Sequence, residues 1–291
     1  MPDDDDTPGG PPVPRGETRQ VDMPFDRDLR RRILGSEPLP LDWGTTVTDA
    51  EEPTGTPATP GTQLQVLGAW QRLKPAWRRQ QATARKLRER SPNVKNATDI
   101  LRTRLLQKLQ NEGWRRIAVT APTSGCGTTF MTLNLALSIS AVRDSKTVLL
   151  DLNQRDPGLA DALNSSCTQR ISGLLGRQVP PLEYLQLYAD NLAVGMNSDT
   201  PPDPAEILQS RSTAEALDEI ETLLTPDVVL CDMPPLLEHD DTLAFLPRVD
   251  AVLLIADGTK TVGEQITECE TLLEGRAPLL GVVLNRGRGP K

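Results

Sequence analysis

The chain has 291 residues, 37% of them hydrophobic and 3% aromatic, with 32 Lys and Arg against 40 Asp and Glu for a formal net charge of −8. That is enough for one sizeable α/β core plus a further segment, and no apolar run approaches the roughly 18 to 20 residues of a membrane-spanning helix. Cys126, Cys167, Cys231 and Cys269 show no C-x-x-C spacing and His239 stands alone, so a cysteine–histidine zinc site is not expected; with no signal peptide ahead of them, the cysteines are expected to be reduced thiols of a cytoplasmic protein.

Charge divides the chain in three. Residues 1–62 hold 6 Lys/Arg against 13 Asp/Glu, 63–116 hold 14 against 3, and 117–291 hold 12 against 24. A basic middle between acidic flanks suits pairing within the chain or an external acidic partner. Segment 1–62 opens on Asp3-Asp4-Asp5-Asp6 and is rich in Pro, Gly, Asp and Thr with few apolar residues, so a disordered acidic tail is predicted. Within it Phe25, Leu29, Ile33 and Leu34 fall at helical spacing ahead of Leu39 and Trp43, as in a transient helix or a docking motif that orders on a partner. A basic helical linker is predicted over 63–95. There Leu64, Leu67, Trp70 and Leu73 recur every three residues before Pro75, a face that either packs on the domain or lies on an anionic membrane surface.

The folded domain is placed at 96–291. It opens with a helix over Asn96–Glu112, whose apolar stripe is Ile100, Leu101, Leu105, Leu106 and Leu109 and whose end is marked by Gly113. Ile117–Thr120, Thr147–Leu152, Leu192–Val194, Val228–Asp232, Ala251–Ala256 and Leu280–Leu284 then read as short strands covered on both faces. Helices are predicted near Thr128–Val142, Pro204–Leu224 and Val262–Glu274. The alternation indicates an α/β fold with a doubly wound, mostly parallel sheet, whose ligand site lies at the carboxyl ends of the strands.

The first of those strands runs into Ser124-Gly125-Cys126-Gly127-Thr128-Thr129. Gly125 and Gly127 allow successive N–H groups to turn into one concavity at a helix N-terminus, which suits an anion. A complete phosphate loop adds a lysine and a Mg²⁺-binding hydroxyl; Thr129 supplies the hydroxyl, and Thr128 stands at the lysine position. Cys126 reads as a space-filling residue, with a redox-active thiol at a helix N-terminus as the other reading. Asp151 and Asn153 follow the second strand and Asp232 ends the fourth. A lone acid after a strand is commonly a cap or turn former, but two of them with a glycine loop in one domain indicate a Mg²⁺–phosphate site.

In order along the chain, these segments resemble the motifs of one family. They are Leu101-Arg102-Thr103-Arg104-Leu105, the glycine loop, Asp151 with Arg155-Asp156-Pro157, Asp232-Met233-Pro234-Pro235 with Asp241, and Gly281-Val282-Val283-Leu284-Asn285-Arg286. The family is that of the bacterial tyrosine kinases that work with polysaccharide co-polymerases in capsule and exopolysaccharide export, relatives of the partition and septum-placement P-loop ATPases. The resemblance covers about two thirds of the chain and implies a P-loop NTPase-like fold with ATP and Mg²⁺ as ligands. It assigns nucleotide binding to Ser124, Gly125, Cys126, Gly127, Thr128, Thr129, Asn285 and Arg286, with Asn285 near the adenine. Thr129, Asp151 and Asp232 would hold the metal, and Asp151, Asn153 and Asp232 take the catalytic positions. It further implies a membrane polysaccharide co-polymerase or chain-length regulator as partner, and a cytoplasmic protein held at the inner membrane through it. Nucleic acid is not an expected partner.

Departures from the pattern qualify the activity. Thr128 removes a charge-assisted contact worth roughly 1.5–3 kcal/mol in binding and more in the transition state. Asn153 replaces a second aspartate and cannot act as a carboxylate base. The tail from Arg286 to Lys291 holds no tyrosine, while Tyr184 and Tyr188 lie mid-domain and are expected to pack there. Asn96, Asp99 and Arg102 stand where family members carry a ring-forming Glu-x-x-Arg-x-x-Arg helix, which weakens self-association. These features indicate a regulatory member with weak or no kinase activity. One alternative is an active tyrosine kinase in which Arg155 or a partner's cation replaces the lysine. Another is a partition-type ATPase that binds DNA or membrane phosphates through Arg78, Arg79, Arg85, Lys86, Arg88 and Arg90.

Overall fold

The computed structural model describes residues 68–76, 82, 83, 86 and 92–287. The acidic tail with its Phe25–Leu34 motif, and Leu64, Leu67, Arg78, Arg79, Arg85, Arg88 and Arg90 of the basic stretch, lie outside the described residues.

A short strand β1 (Lys74–Pro75) precedes helix α1 (Pro92–Glu112), strand β2 (Arg116–Thr120), helix α2 (Thr128–Ile139) and strand β3 (Thr147–Asp151). Three short helices follow, α3 (Leu159–Ala162), α4 (Ile171–Leu175) and α5 (Pro181–Tyr184), then the hairpin of β4 (Gln186–Ala189) and β5 (Leu192–Gly195). Helices α6 (Pro204–Gln209) and α7 (Arg211–Leu224) lead to β6 (Val228–Asp232), α8 (Asp241–Phe245), β7 (Ala251–Asp257), α9 (Gly263–Leu273) and β8 (Leu279–Asn285). The strands form one sheet in the order β1-β4-β5-β3-β6-β2-β7-β8. Every pairing is parallel except that of β4 with β5. All the predicted strands are present, each within one residue of its expected ends.

Burial on both faces explains why those strands are readable from apolar runs. β3, β6 and β7 are buried along their whole length, and α2 is buried from Thr132 to Ile139 because it lies between the sheet and α1. The α1 stripe differs from expectation at one end. Leu105 and Leu109 are buried and Leu101 and Leu106 pack against the core, but Ile100 is 56% exposed. At about 100° per residue, Ile100 lies on the far flank of the line through 101, 105 and 109. Gly113, at φ 69°, ends α1, and the Trp114 N–H donates back to the Leu109 carbonyl at 2.9 Å, closing the terminus with a left-handed cap.

Other boundaries differ for identifiable reasons. The helix predicted over 204–224 is two helices, because Ser210 adopts ψ 154° and caps α7 by accepting the Thr213 N–H at 3.2 Å, the role for which serine is favoured. Helix α2 stops at Ile139 rather than 142, where Ser140 and Ala141 bond back to Ala136 and Ser138. Strand β4 is not among the expected strands because only one of its four residues is buried, whereas the equally short β5, to which Asp190-Asn191 joins it, is buried throughout. The basic stretch meets the domain at its end. Trp70 and Leu73 are buried, the Trp70 indole N–H donates to the Leu224 carbonyl at 2.7 Å, and Pro75 lies on an edge strand that tolerates its missing N–H. Among the described residues, no helix is long and apolar enough to cross a membrane.

Sheet order is what positions the site. β2 lies between β6 and β7, and β3 flanks β6 on the other side, so the loops that follow β2, β3, β6 and β7 open at one edge. In that register Asp151 is paired with Asp232, and Asp257 with Asn285.

Candidate phosphate-binding site

Residues 121–127 carry the chain from β2 into α2. Gly125 at φ 76° and Gly127 at φ 87° occupy the left-handed region, which other L-residues resist. Gly127 is also required for space, since a β-carbon there would lie 2.4 Å from Asn285 Nδ2. That amide donates to the Cys126 carbonyl at 2.8 Å. Arg286 donates from Nη1 to the Gly125 carbonyl at 2.9 Å and to Asp257 Oδ2 at 2.6 Å. Asn285 and Arg286, expected at the nucleotide, are thus bonded to the backbone of the glycine loop. Thr259, through its hydroxyl and its backbone N–H, and then Arg286 hold the Asp257 carboxyl at about 2, below the usual carboxylate range.

The Ser124 N–H donates to Glu238 Oε1 at 2.8 Å. One position of the nest is therefore taken by a carboxylate oxygen. Cys126 is buried, with its sulfur 3.9 Å from the Thr123 hydroxyl and 3.7 Å from that of Thr261, so it fills the space between the loop and the β7–α9 turn. Thr128 is half-buried on the first turn of α2 and brings no charge.

Asp151 and Asp232 are fully buried side by side. Thr129 donates its hydroxyl to Asp232 Oδ2 at 2.6 Å, and Thr132 donates to Oδ1 at 3.2 Å. Asp151 Oδ2 accepts the Leu159 N–H at 3.0 Å, whereas its Oδ1 has no hydrogen-bond partner among the described residues. Burial pushes both carboxyls up, and the Asp232 charge pushes Asp151 further; the two threonine hydroxyls partly offset the rise at Asp232. Adjacent carboxylates at low dielectric call for a shared proton or a cation. The orphaned Asp151 oxygen, the Asp232 carboxylate and the Thr129 hydroxyl are hard oxygen donors that fit Mg²⁺. A loop N–H already holding an oxyanion beside them fits a phosphate.

Asn153 stands nearby with a different bond: its side-chain carbonyl accepts the Asp156 N–H at 3.1 Å and forms the turn after β3. Arg155 is committed as well, bonded to Asp241 at 2.9 and 3.2 Å in a bidentate pair that raises its pKa. Tyr184 and Tyr188 are buried, the former donating its hydroxyl to the Met196 carbonyl. On α1, Asp99 pairs with Arg102 at 2.9 Å and accepts the Ser138 hydroxyl at 2.6 Å. Glu238, Asp257 and Thr132 join the site without having been expected from the sequence. Asp257 ends a buried strand, as Asp232 does, and the same strand-end rule reaches it; Glu238 lies in a loop and carries no such signal.

No protein-family model matches the chain. Over 198 residues it is 29% identical to the Ralstonia solanacearum protein named as tyrosine-protein kinase EpsB, covering 64% of this chain and 24% of that one, so the chain spans about a quarter of that relative. It is 27% identical over 173 residues to the tyrosine-protein kinase YwqD of Bacillus subtilis, covering 59% of this chain and 72% of that protein. The crystal structure of the chimerical protein CapA2B2 superposes with a TM-score of 0.62 at 25% identity, over 70% of this chain and 88% of that one. With the glycine loop at 124–129 and the Asp151–Asp232 pair in the register described, the chain is similar in sequence and fold to the bacterial tyrosine-protein kinases, with threonine where the loop of such P-loop proteins carries its lysine.

Proposed function

We propose that this chain serves exopolysaccharide or capsule production as a regulatory P-loop protein. In this reading it binds ATP with Mg²⁺, contacts a membrane polysaccharide co-polymerase from the cytoplasmic side, and has weak or no tyrosine-kinase activity. Thr129, Asp232 and the free oxygen of Asp151 would hold the metal, and the N–H groups of the 124–129 loop would take the phosphates. Mg²⁺ supplies charge neutralisation at the phosphates when bound. What the chain's own residues provide is orientation: Thr129 aims Asp232, the Leu159 N–H aims Asp151, and Asn285 and Arg286 fix the loop.

The observation that carries the low-activity reading is Thr128, which leaves the loop's family lysine position uncharged. Asn153 adds to it, since an amide already bonded to Asp156 offers no carboxylate to an attacking hydroxyl. Burial of both tyrosines leaves the described residues without an exposed acceptor hydroxyl of that type. Because Asp99 and Arg102 pair with each other and with Ser138 of the same chain, a like-for-like ring is disfavoured and a mixed assembly with the co-polymerase is the expected complex. A Mg²⁺-dependent phosphotyrosine assay on the purified full chain tests this directly. Negligible transfer by the native protein and a gain in the Thr128→Lys, Asn153→Asp double variant are expected; transfer by the native protein at an ordinary kinase rate contradicts the reading.

A further inference from the structure

Lys260 lies on the turn that joins β7 to α9. A β-carbon built on Gly125 would stand 3.6 Å from the Lys260 Nζ. The ammonium therefore rests against the glycine loop itself, on the side opened by the missing side chain. Among the described residues it has neither ion pair nor side-chain hydrogen bond, and the side chain is exposed. The other cations near the loop are committed: Arg286 to Asp257 and the Gly125 carbonyl, and Arg155 to Asp241.

The turn that carries Lys260 is tightly held. The Asp257 N–H donates to the Thr261 hydroxyl at 2.9 Å, the Lys260 and Thr261 N–H groups donate to the Asp257 carbonyl at 3.1 and 2.9 Å, and Thr259 is bonded twice to Asp257 Oδ1. The Gly258 N–H donates to the Asn285 carbonyl at 2.8 Å, and Thr261 touches the Cys126 sulfur. An unneutralised point charge on a flexible stem is thus carried by a braced turn at the mouth of an anion-binding loop.

We infer that Lys260 is the phosphate-binding cation of this loop, supplying from the β7–α9 turn the charge that Thr128 withholds from α2. The ligand class is a nucleoside polyphosphate, so the inference rests on the nucleotide reading above. A compact ammonium needs only proximity to a phosphate oxygen, and a lysine reaching from a neighbouring turn meets that need as well as one reaching from the first turn of the helix. Nucleotide binding is thereby retained in a loop without its helix lysine. The carboxylate missing at Asn153 is not replaced, which keeps the inference consistent with low transfer activity.

The test is calorimetric titration of the full chain with ATP and Mg²⁺. Lys260→Ala is expected to weaken binding roughly ten- to hundredfold, the range for one lost charge-assisted hydrogen bond, while Lys260→Arg retains most of it. Thr128→Lys placed in the Lys260→Ala background is expected to restore affinity, an effect that a merely structural lysine would not produce. Because the Lys260 side chain is exposed, Lys260→Ala should leave the melting temperature without ligand unchanged, which separates lost binding from lost folding. Native protein that binds ATP no more tightly than Lys260→Ala overturns the role of Lys260 alone, as does failure of Thr128→Lys to rescue. Native protein that binds no ATP removes the nucleotide reading and the role of Lys260 together.

Discussion

At the residue scale, the candidate site is a balance of charges around a glycine loop. Glu238 occupies the Ser124 N–H that a phosphate oxygen would need, and it repels a polyphosphate as well. Glu238→Ala is therefore expected to raise ATP affinity by roughly three- to tenfold, since an exposed charge-assisted bond contributes about 1 kcal/mol; calorimetry on the two proteins measures it. The Asp151–Asp232 pair adds a pH dependence. Both carboxyls are raised in the folded state, mainly by burial, so between the unfolded and folded values the folded chain binds more protons than the unfolded one. The stability this contributes is fully present below the unfolded carboxylate range and is lost as pH rises through the folded values. Without divalent cation, the melting temperature should fall as pH climbs above the ordinary carboxylate range. Mg²⁺ should reduce the fall and Asp232→Asn should flatten it; a profile that rises over the same interval contradicts the shared-proton picture of the pair.

At the element scale, the strands are legible in the sequence because each is an apolar run buried on both faces, and the acids at their ends point to the candidate site. Asp151 and Asp232 are reachable in this way, and pairing of β3 with β6 brings them together. Contacts between loops are not legible. Glu238 meets Ser124, and Lys260 meets Gly125, only because β6 and β7 flank β2, a strand order that sequence periodicity does not encode. Local signals also compete with periodic ones: Ser210 breaks the helical pattern over 204–224 by capping α7, and Ile100 leaves the α1 stripe through its angular position. The stretch before β1 gains its place from tertiary contact. Trp70 is buried and bonded to the Leu224 carbonyl at the end of α7, so Trp70→Ala should cost about 3–5 kcal/mol in unfolding free energy. Urea unfolding monitored by circular dichroism measures the loss, and a change within about 0.5 kcal/mol, typical of surface positions, would mean that residues 68–76 are not docked.

At the scale of the whole molecule, the chain combines a phosphate-loop domain with a basic segment and an acidic tail of opposite charge. In the proposed function the glycine loop, Thr129 and the paired aspartates are the parts that would hold a nucleotide, and Thr128 and Asn153 are the departures that would weaken phosphoryl transfer. Under the function proposed above, such a protein would signal by occupancy, with ATP binding biasing its contact with a membrane partner. The measurement that bears most directly on this is the fate of nucleotide on the purified full chain after incubation with ATP and Mg²⁺, with bound nucleotide and protein phosphotyrosine assayed on the same sample. Retained ATP, lost in Asp151→Ala, with no accumulation of phosphotyrosine is the expected result. Rapid Mg²⁺-dependent appearance of phosphotyrosine, or a chain that retains no nucleotide at all, would contradict it.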